Sequence, residues 1–305
     1  MLEAVLPIVC LDVGGSSVKA AVTTVENPVP DSTTRYELDS RASADTIVDR
    51  LAEIVRREAA RVSHPFAVGM GFPGPCDYEA GVCYLRGLTK FEALYGLSVL
   101  ELLRKRLGLA GRSAVRMRND AEAAILGEAL YGVGQDTTPV LGLTLGTGMG
   151  SSLINRREVV RFSTPYGERD ELFPWPVHDP ADRRSAARRQ ADDVFSTRGL
   201  MRLAESAGLA VSSPLELAGL AGNHDSRALE TYRTFGRRLG EFLTEVIEHL
   251  GAHTEPPRLV ILLGGITGAF EFFAPAVRDR LPVPVVQGRL GEAAAIAGIT
   301  ELFAE

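Results

Sequence analysis

Cysteine is scarce in this 305-residue chain, which holds only Cys10, Cys76 and Cys83. Three cannot all pair, and no C-x-x-C spacing offers a zinc or redox site, so free thiols in a reducing compartment are expected. Long apolar runs are missing as well: none approaches the ~18 residues that cross a bilayer. The N-terminal MLEAVLPIVCLDVGG has neither a basic flank nor a small-residue cleavage site, so a cytoplasmic protein with no membrane partner is expected. Positive charge is outnumbered, with 33 Lys and Arg against 39 Asp and Glu and a net charge of −6. That balance disfavours a broad basic surface and, with it, nucleic acid as a partner. Neither a Walker-type GK[ST] nor an HExxH segment occurs.

What the chain has is a globular composition, 45% hydrophobic and 24% charged, which excludes a largely disordered or collagen-like protein. Its length predicts about two domains at ~150 residues each. Glycine is plentiful at 31 residues, and the glycines cluster beside short apolar runs.

The run Leu6–Asp12 ends in Asp12-Val13-Gly14-Gly15-Ser16-Ser17, and Val18–Val25 leaves it, which predicts a hairpin with a glycine turn. A strand over Thr33–Leu38 follows, then a helix over Asp45–Val62 with Ile47, Val48, Leu51, Ile54 and Val55 on one face. Next come a strand over Phe66–Gly71 and a helix opened by the capping box Ser98-Val-Leu-Glu101 and closed by Gly108. A strand over Val115–Arg118 then runs through Asn119-Asp120 into a helix over Ala121–Tyr131. The pattern restarts with a strand at Val140–Leu145, a turn at Gly146-Thr147-Gly148-Met149-Gly150 and a strand at Ser151–Ile154, an offset of 132 residues from Asp12 to Thr144. Two similar α/β domains are expected. The second adds a long amphipathic helix ending at Gly251, a strand at Arg258–Leu263 entering Gly264-Gly265, a helix over Phe270–Leu281, a strand at Val283–Gln287 and a final helix over Glu292–Leu302. Between Ser163 and Phe195 periodicity fails, and a long insertion or lid is expected.

Each of the three glycine turns follows a buried-type strand and can present backbone N–H groups to an anion. An ordinary β-turn is the alternative for any one of them; the three together point to a polyphosphate ligand. Only the first carries a carboxylate at its strand end, Asp12, whose counterpart is Thr144. A carboxylate beside phosphate-binding amides points to a shared divalent cation. Asp120 has two readings, a helix N-cap or an acceptor for a substrate hydroxyl proton, and Asn119 beside it suits a polyol. Gly69-Met-Gly71-Phe-Pro-Gly74 matches G-x-G-x-x-G, but Pro75-Cys76-Asp77 follows where a helix should open, so it is set aside. His249 and His253 have i, i+4 spacing, yet Gly251 between them is expected to break the helix. Arg183, Arg184, Arg188 and Arg189 alternate with Asp179, Asp182, Asp192 and Asp193 and read as a solvated face.

Taken in order, these segments resemble the ROK family (repressors, open reading frames and sugar kinases) over almost the full length. Leu11–Lys19 resembles its first phosphate motif, Gly71–Pro75 its proline–glycine segment and Arg118–Ala124 with Gly127-Glu128 its catalytic stretch. Leu145–Gly150 resembles the second phosphate motif, and Leu263-Gly264-Gly265 the adenosine motif. The resemblance implies two actin-like, ribonuclease H-like domains with an interdomain cleft. The first would span 1–118, with the C-terminal helix 291–305 packing back on it, and the second 119–290. It implies ATP and Mg²⁺, with Asp12 near the metal through the phosphates. Gly14, Gly15, Ser16, Ser17, Lys19, Gly146, Thr147, Gly148, Gly264 and Gly265 would surround the nucleotide. Asp120 becomes the general base, and Asn119, Gly74, Glu171, Glu168 and Thr89 fall on the acceptor side. A homodimer is expected on the same ground.

The departures bear on the acceptor. The family's cysteine-rich zinc motif has no counterpart, since no cysteine follows Cys83. Glu171 or Glu168 stands in for the sugar-binding glutamate, and the family histidine is missing, with His178 as a substitute. The sugar-contacting Asn-Leu segment has become Gly87-Leu88-Thr89-Lys90-Phe91. The expected activity is phosphorylation of a hexose, amino sugar or cyclitol by ATP, with polyphosphate as an alternative donor. A catalytically inactive, ligand-binding or regulatory relative and an acceptor-independent ATPase are the rival expectations. A DNA-binding regulator would need a helix-turn-helix ahead of Asp12, where eleven residues stand.

Overall fold

The computed structural model describes residues 6–62, 65–87, 89–109, 111, 114–166, 171–179 and 188–304. It divides into two units, Met1–Gly127 with Leu290–Glu305, and Glu128–Arg289. The division falls inside a helix at Gly127 rather than at 118, because the strand and the first helical turns beyond 118 are built into the first unit's sheet and core.

The first unit contains β1 (Ile8–Val13), β2 (Ser17–Thr23), β3 (Thr34–Glu37), α1 (Ala44–Ala59), β4 (Ala67–Phe72), β5 (Cys76–Asp77), β6 (Val82–Cys83), α2 (Val99–Leu107), β7 (Val115–Asn119) and the start of α3 (Asp120–Tyr131). Its main sheet has the order β3-β2-β1-β4-β7. Successive β1 side chains point to opposite faces, and both faces are covered. Val9, Leu11 and Val13 pack on the side of α1 and α2, while Ile8 and Cys10 pack against Ala123 of α3 and the C-terminal α9 (Ala293–Thr300). That double burial is why β1 reads as a nearly unbroken apolar run. Gly127 and Gly298 let α3 and α9 approach: a Cβ on Gly127 would lie 2.0 Å from the Ala294 carbonyl oxygen. The helix signals hold locally, with Ser98 accepting from the Glu101 N–H at 3.3 Å and Gly108 capping α2 at φ 66°. After β4 no helix opens; the chain goes into β5, in line with setting the glycine pattern there aside.

The second unit contains β8 (Val140–Leu145), β9 (Met149–Asn155), β10 (Glu158–Val160), β11 (Pro176–His178), β12 (Arg188–Gln190), α4 (Ala191–Phe195), α5 (Thr197–Ser206), α6 (Pro214–Gly222), α7 (Ser226–His253), β13 (Leu259–Leu263), α8 (Phe270–Arg278) and β14 (Val285–Gln287). The order of its main sheet, β10-β9-β8-β13-β14, repeats that of the first, with two antiparallel and then two parallel pairings. The 132-residue offset carries both ends of β1 and β2 onto both ends of β8 and β9.

Three expectations change here. The long helix α7 does not stop at Gly251, which is exposed and tolerated at a cost of about 1 kcal/mol. It runs to His253 and closes where the Thr254 N–H and hydroxyl both donate to the Leu250 carbonyl. His249 and His253 therefore do share a helical face, with ring centroids 4.8 Å apart. The stretch after Ser163 is not simply a lid. Trp175 is buried against Phe242 and His249, and β11 pairs with β12. Nor is its charge all solvated: Asp179 is buried and accepts from Arg189 at 3.0 Å and Arg202 at 3.2 Å. Asp182, Arg183 and Arg184 lie outside the described residues. Among the described residues, no helix is long and apolar enough to cross a membrane.

Candidate active site

In the first unit, Asp12 lies near the carboxyl end of β1, opposite Lys19 on β2 and Gly71 on β4. The turn that follows is closed by the Gly14 N–H donating to the Ser17 carbonyl at 2.9 Å, and the Ser16 carbonyl accepts from the Leu38 N–H at 3.1 Å. Lys19 is held between two carboxylates, 3.4 Å from Asp12 Oδ2 and 3.7 Å from Glu292 Oε1. Its charge is therefore already matched by protein groups. Burial pushes the Asp12 carboxyl above its ordinary range, Lys19 draws it back, and Glu292 adds a smaller upward push.

Asp120 opens α3 directly after β7, the strand on the other side of β4. The two carboxylates thus sit at the carboxyl ends of parallel strands, where open α/β sheets bind ligands. The helix cap falls to Asn119, whose Oδ1 accepts from the Glu122 N–H at 3.0 Å. Asp120 accepts from the Ala121 N–H at 2.8 Å. Burial, then the neighbouring charge of Asp12, pushes the Asp120 carboxyl above its ordinary range, while the Ala121 N–H and the Lys90 ammonium oppose the rise. The nitrogen of the Asn119 amide is also engaged, Nδ2 donating to Tyr78 Oη at 2.9 Å. Gly74 accommodates this pair, since a Cβ there would meet Tyr78 Oη at 2.7 Å. Thr89 is exposed with φ 59° beside a cavity of about 420 Å³ lined by Ser40, Arg41, Thr89, Glu92 and Ala93.

In the second unit, the Gly146 N–H donates to the Gly148 carbonyl at 3.0 Å, and Thr144 Oγ1 accepts from the Gly150 N–H at 3.1 Å. Thr147 lies within this turn. Asp192 of α4 accepts from the Met149 N–H at 2.7 Å and pairs with Arg198 at 2.7 Å. The second turn thus also has a carboxylate, delivered from 43 residues downstream. Gly264 and Gly265 follow β13, which pairs with β8 in the register Leu263↔Thr144, so both glycine turns of this unit lie at one end of one sheet. Glu171 is half-buried beside Leu172, whose N–H donates to Ser151 Oγ at 3.1 Å. His178 is exposed on β11 opposite Arg188, and Glu168 lies outside the described residues.

Lys90, Glu292 and Asp192 escaped the sequence reading. Glu292 and Asp192 reach their partners across long stretches of chain, which no local spacing announces. Lys90 stands in the Gly87–Phe91 segment, where the departure from the family's Asn-Leu pattern was the available signal.

The sequence model of the ROK family matches residues 8–162, a stretch that takes in Asp12, Gly71–Pro75, Asp120 and the Gly146 turn. The chain belongs to the ROK family. A glucokinase of Thermotoga maritima is 25% identical to this ROK chain over 286 residues, 90% of the chain and 87% of the relative. An N-acetyl-D-glucosamine kinase of Mannheimia succiniciproducens is 25% identical over 311 residues, 96% of the chain and 97% of the relative. A ROK family glucokinase from Streptomyces griseus, solved in complex with glucose and AMPPNP, has a TM-score of 0.71 at 22% identity, covering 97% of this chain and 98% of its own. That likeness identifies the fold as the actin-like ATPase fold of the ROK sugar kinases, and the repeated sheet order is its internal duplication.

Proposed function

We propose that this ROK protein transfers the γ-phosphoryl group of ATP to a hydroxyl of a hexose, amino sugar or cyclitol, with Asp120 as general base. The observation that carries the proposal is the state of Asp120. It is a carboxylate at a sheet's carboxyl edge, beside Asp12 and raised in pKa by burial and by that neighbour. A base whose pKa is lifted towards the working pH takes a proton more effectively. The kinase names of the relatives support a sugar as acceptor, and the AMPPNP bound to the Streptomyces enzyme supports ATP as donor.

The chemistry balances as a single displacement. The acceptor oxygen attacks the γ-phosphorus, and that P–O bond forms as the bond to the β–γ bridging oxygen breaks. The electron pair stays on ADP, and the hydroxyl proton goes to the Asp120 carboxylate, which later releases it to water. Positioning and charge neutralisation dominate such transfers, because little covalent work is left to the protein. The N–H groups of Gly15 and Ser16 in the first glycine turn would orient the phosphates, and the cap made by Asn119 would fix the backbone on which Asp120 stands.

Asp12 and Asp120 are buried carboxylates at one edge of one sheet, and the Asp12 charge acts on Asp120, an oxygen-ligand chemistry that fits a divalent cation. Asp12 would hold Mg²⁺ in company with the phosphates rather than in an all-protein cage. The ion supplies neutralisation of phosphate charge when bound.

The test is ADP release from ATP across hexoses, amino sugars, polyols and C7 cyclitols, with ³¹P NMR of the product. Stimulation by one acceptor and a new phosphomonoester resonance is expected. ATP binding with no stimulation by any acceptor would replace this proposal with an inactive, ligand-binding relative.

A further inference from the structure

Lys90 is flanked by two non-glycine residues in the left-handed region, Thr89 and Phe91, each at φ 59°. Such conformations cost about 1–2 kcal/mol apiece and persist only where the surroundings impose them. The surroundings are explicit. Phe91 is fully buried, with its ring centroid 4.9 Å from that of Phe72, and its N–H donates to the Ser40 carbonyl at 2.7 Å. The Thr89 N–H donates to Glu92 Oε1 at 3.0 Å.

The clamped segment sets the course of the Lys90 side chain. Its stem passes the first glycine turn, where a Cβ on Gly15 would lie 3.5 Å from Lys90 Cδ. Its charge acts on Asp120, and the side chain is half-buried. Lys19, the other lysine here, is spoken for by Asp12 and Glu292. Among the described residues no carboxylate lies within ion-pair distance of Lys90. An ammonium without a carboxylate partner, its stem against the first glycine turn and its charge acting on Asp120, is suited to offset the charge that builds on a phosphoryl group in flight.

Resting on the kinase reading above, we propose that Lys90 is a catalytic residue of the transfer, its ammonium contacting the oxygens of the moving phosphoryl group. It remains protonated throughout; the only proton that moves is the acceptor's, to Asp120. Preorganised donors aimed at developing charge contribute ~10²–10³-fold in rate.

The test compares wild type, Lys90→Met and Lys90→Arg as full chains, first checked for equal Tm. Lys90→Met should lower kcat ~10²–10³-fold with acceptor KM nearly unchanged, and Lys90→Arg should recover part of the loss. The acid limb of kcat/KM should also move to higher pH in Lys90→Met, since the ammonium that held Asp120 down is gone. Raised acceptor KM at unchanged kcat would overturn the assignment in favour of an ammonium that reads an anionic acceptor. Unchanged kinetics would overturn it outright. Calorimetry with ADP and with ADP plus aluminium fluoride, which mimics the phosphoryl group in transfer, separates this from the kinase reading. Wild type should bind the mimic more tightly than ADP alone, and Lys90→Met should lose that gain. If no acceptor stimulates turnover but the gain depends on Lys90, the kinase reading fails and Lys90 keeps its place at the phosphoryl group. If acceptor turnover exists and Lys90→Met matches wild type in both assays, only the Lys90 assignment fails; absence of both turnover and gain overturns both.

Discussion

Gly264 and Gly265 are neighbours, yet the structure gives them different reasons to be glycine. Gly264 has φ 94° and ψ 174°, a region that side chains avoid, and a Cβ there would lie 2.4 Å from the Leu145 carbonyl oxygen and 2.8 Å from its carbon. Both obstacles are backbone, so no rotamer change relieves them. Gly264→Ala should cost about 1–3 kcal/mol for conformation and about 1–3 kcal/mol for overpacking. At ~2–4 °C per kcal/mol, the second unit's Tm should fall by at least ~4 °C. Around Gly265 an added Cβ meets no heavy atom within 4 Å, so Gly265→Ala should leave stability within ~0.5 kcal/mol. If this backbone faces the adenosine, as the motif implies, the methyl group enters the nucleotide's space and ATP affinity should drop ~10-fold, equivalent to ~1.4 kcal/mol. Differential scanning fluorimetry and calorimetry with ATP read the two effects separately. A Gly264→Ala protein as stable as wild type would refute the packing argument. Unchanged ATP affinity in Gly265→Ala would refute the nucleotide role of that glycine.

Further outcomes follow from burial and charge. Gly127→Ala should lower the urea midpoint by the equivalent of about 1–3 kcal/mol despite alanine's better helix propensity, because the Ala294 backbone is in the way. Gly219→Ala in α6, where nothing lies within 4 Å, should raise it by about 1 kcal/mol. Asp120→Asn should be more thermostable than wild type at neutral pH, since the folded state raises the carboxyl's pKa and so disfavours its charged form. That advantage should shrink as pH falls through the raised pKa and vanish below the ordinary value of 3.8, a trend followed by Tm against pH. Iodoacetamide should alkylate native Cys10 at least ~10²-fold more slowly than a free thiol at pH 7.5, since burial pushes its pKa up to about 11. Mass spectrometry with and without urea checks this.

Much of the architecture was legible because its signals are local. The two hairpins announce themselves by apolar runs broken by glycine, and their 132-residue spacing carries the duplication that the two sheet orders repeat. Ser98 and Gly108 bounded α2 by the chemistry of helix ends. The helices α5 and α6 went unread, although Ser213, Pro214 and Glu216 form a start signal that the structure uses, with Ser213 accepting from the Glu216 N–H. The end of α7 was misplaced because a single exposed glycine is a weaker stop than the Thr254 cap beyond it. At the site, the carboxylates were legible by position, but their surroundings were not. Glu292 reaches Lys19 from the far end of the chain, and Asp192 reaches the Gly146–Gly150 turn from the segment read as solvated charge. The Asn119 amide serves the helix cap and Tyr78, contacts that appear only once β7 and the β4–β5 connection are brought together. Nothing in threonine or phenylalanine favours positive φ, so the clamp around Lys90 lay beyond local propensity.

Whether Asp120 removes the acceptor's proton is decided by single-turnover phosphoryl transfer in Asp120→Asn against wild type, alongside calorimetric ATP affinity. Nucleotide affinity should persist while transfer to the stimulating acceptor slows by at least ~10²-fold. Transfer at the wild-type rate in Asp120→Asn would contradict the account.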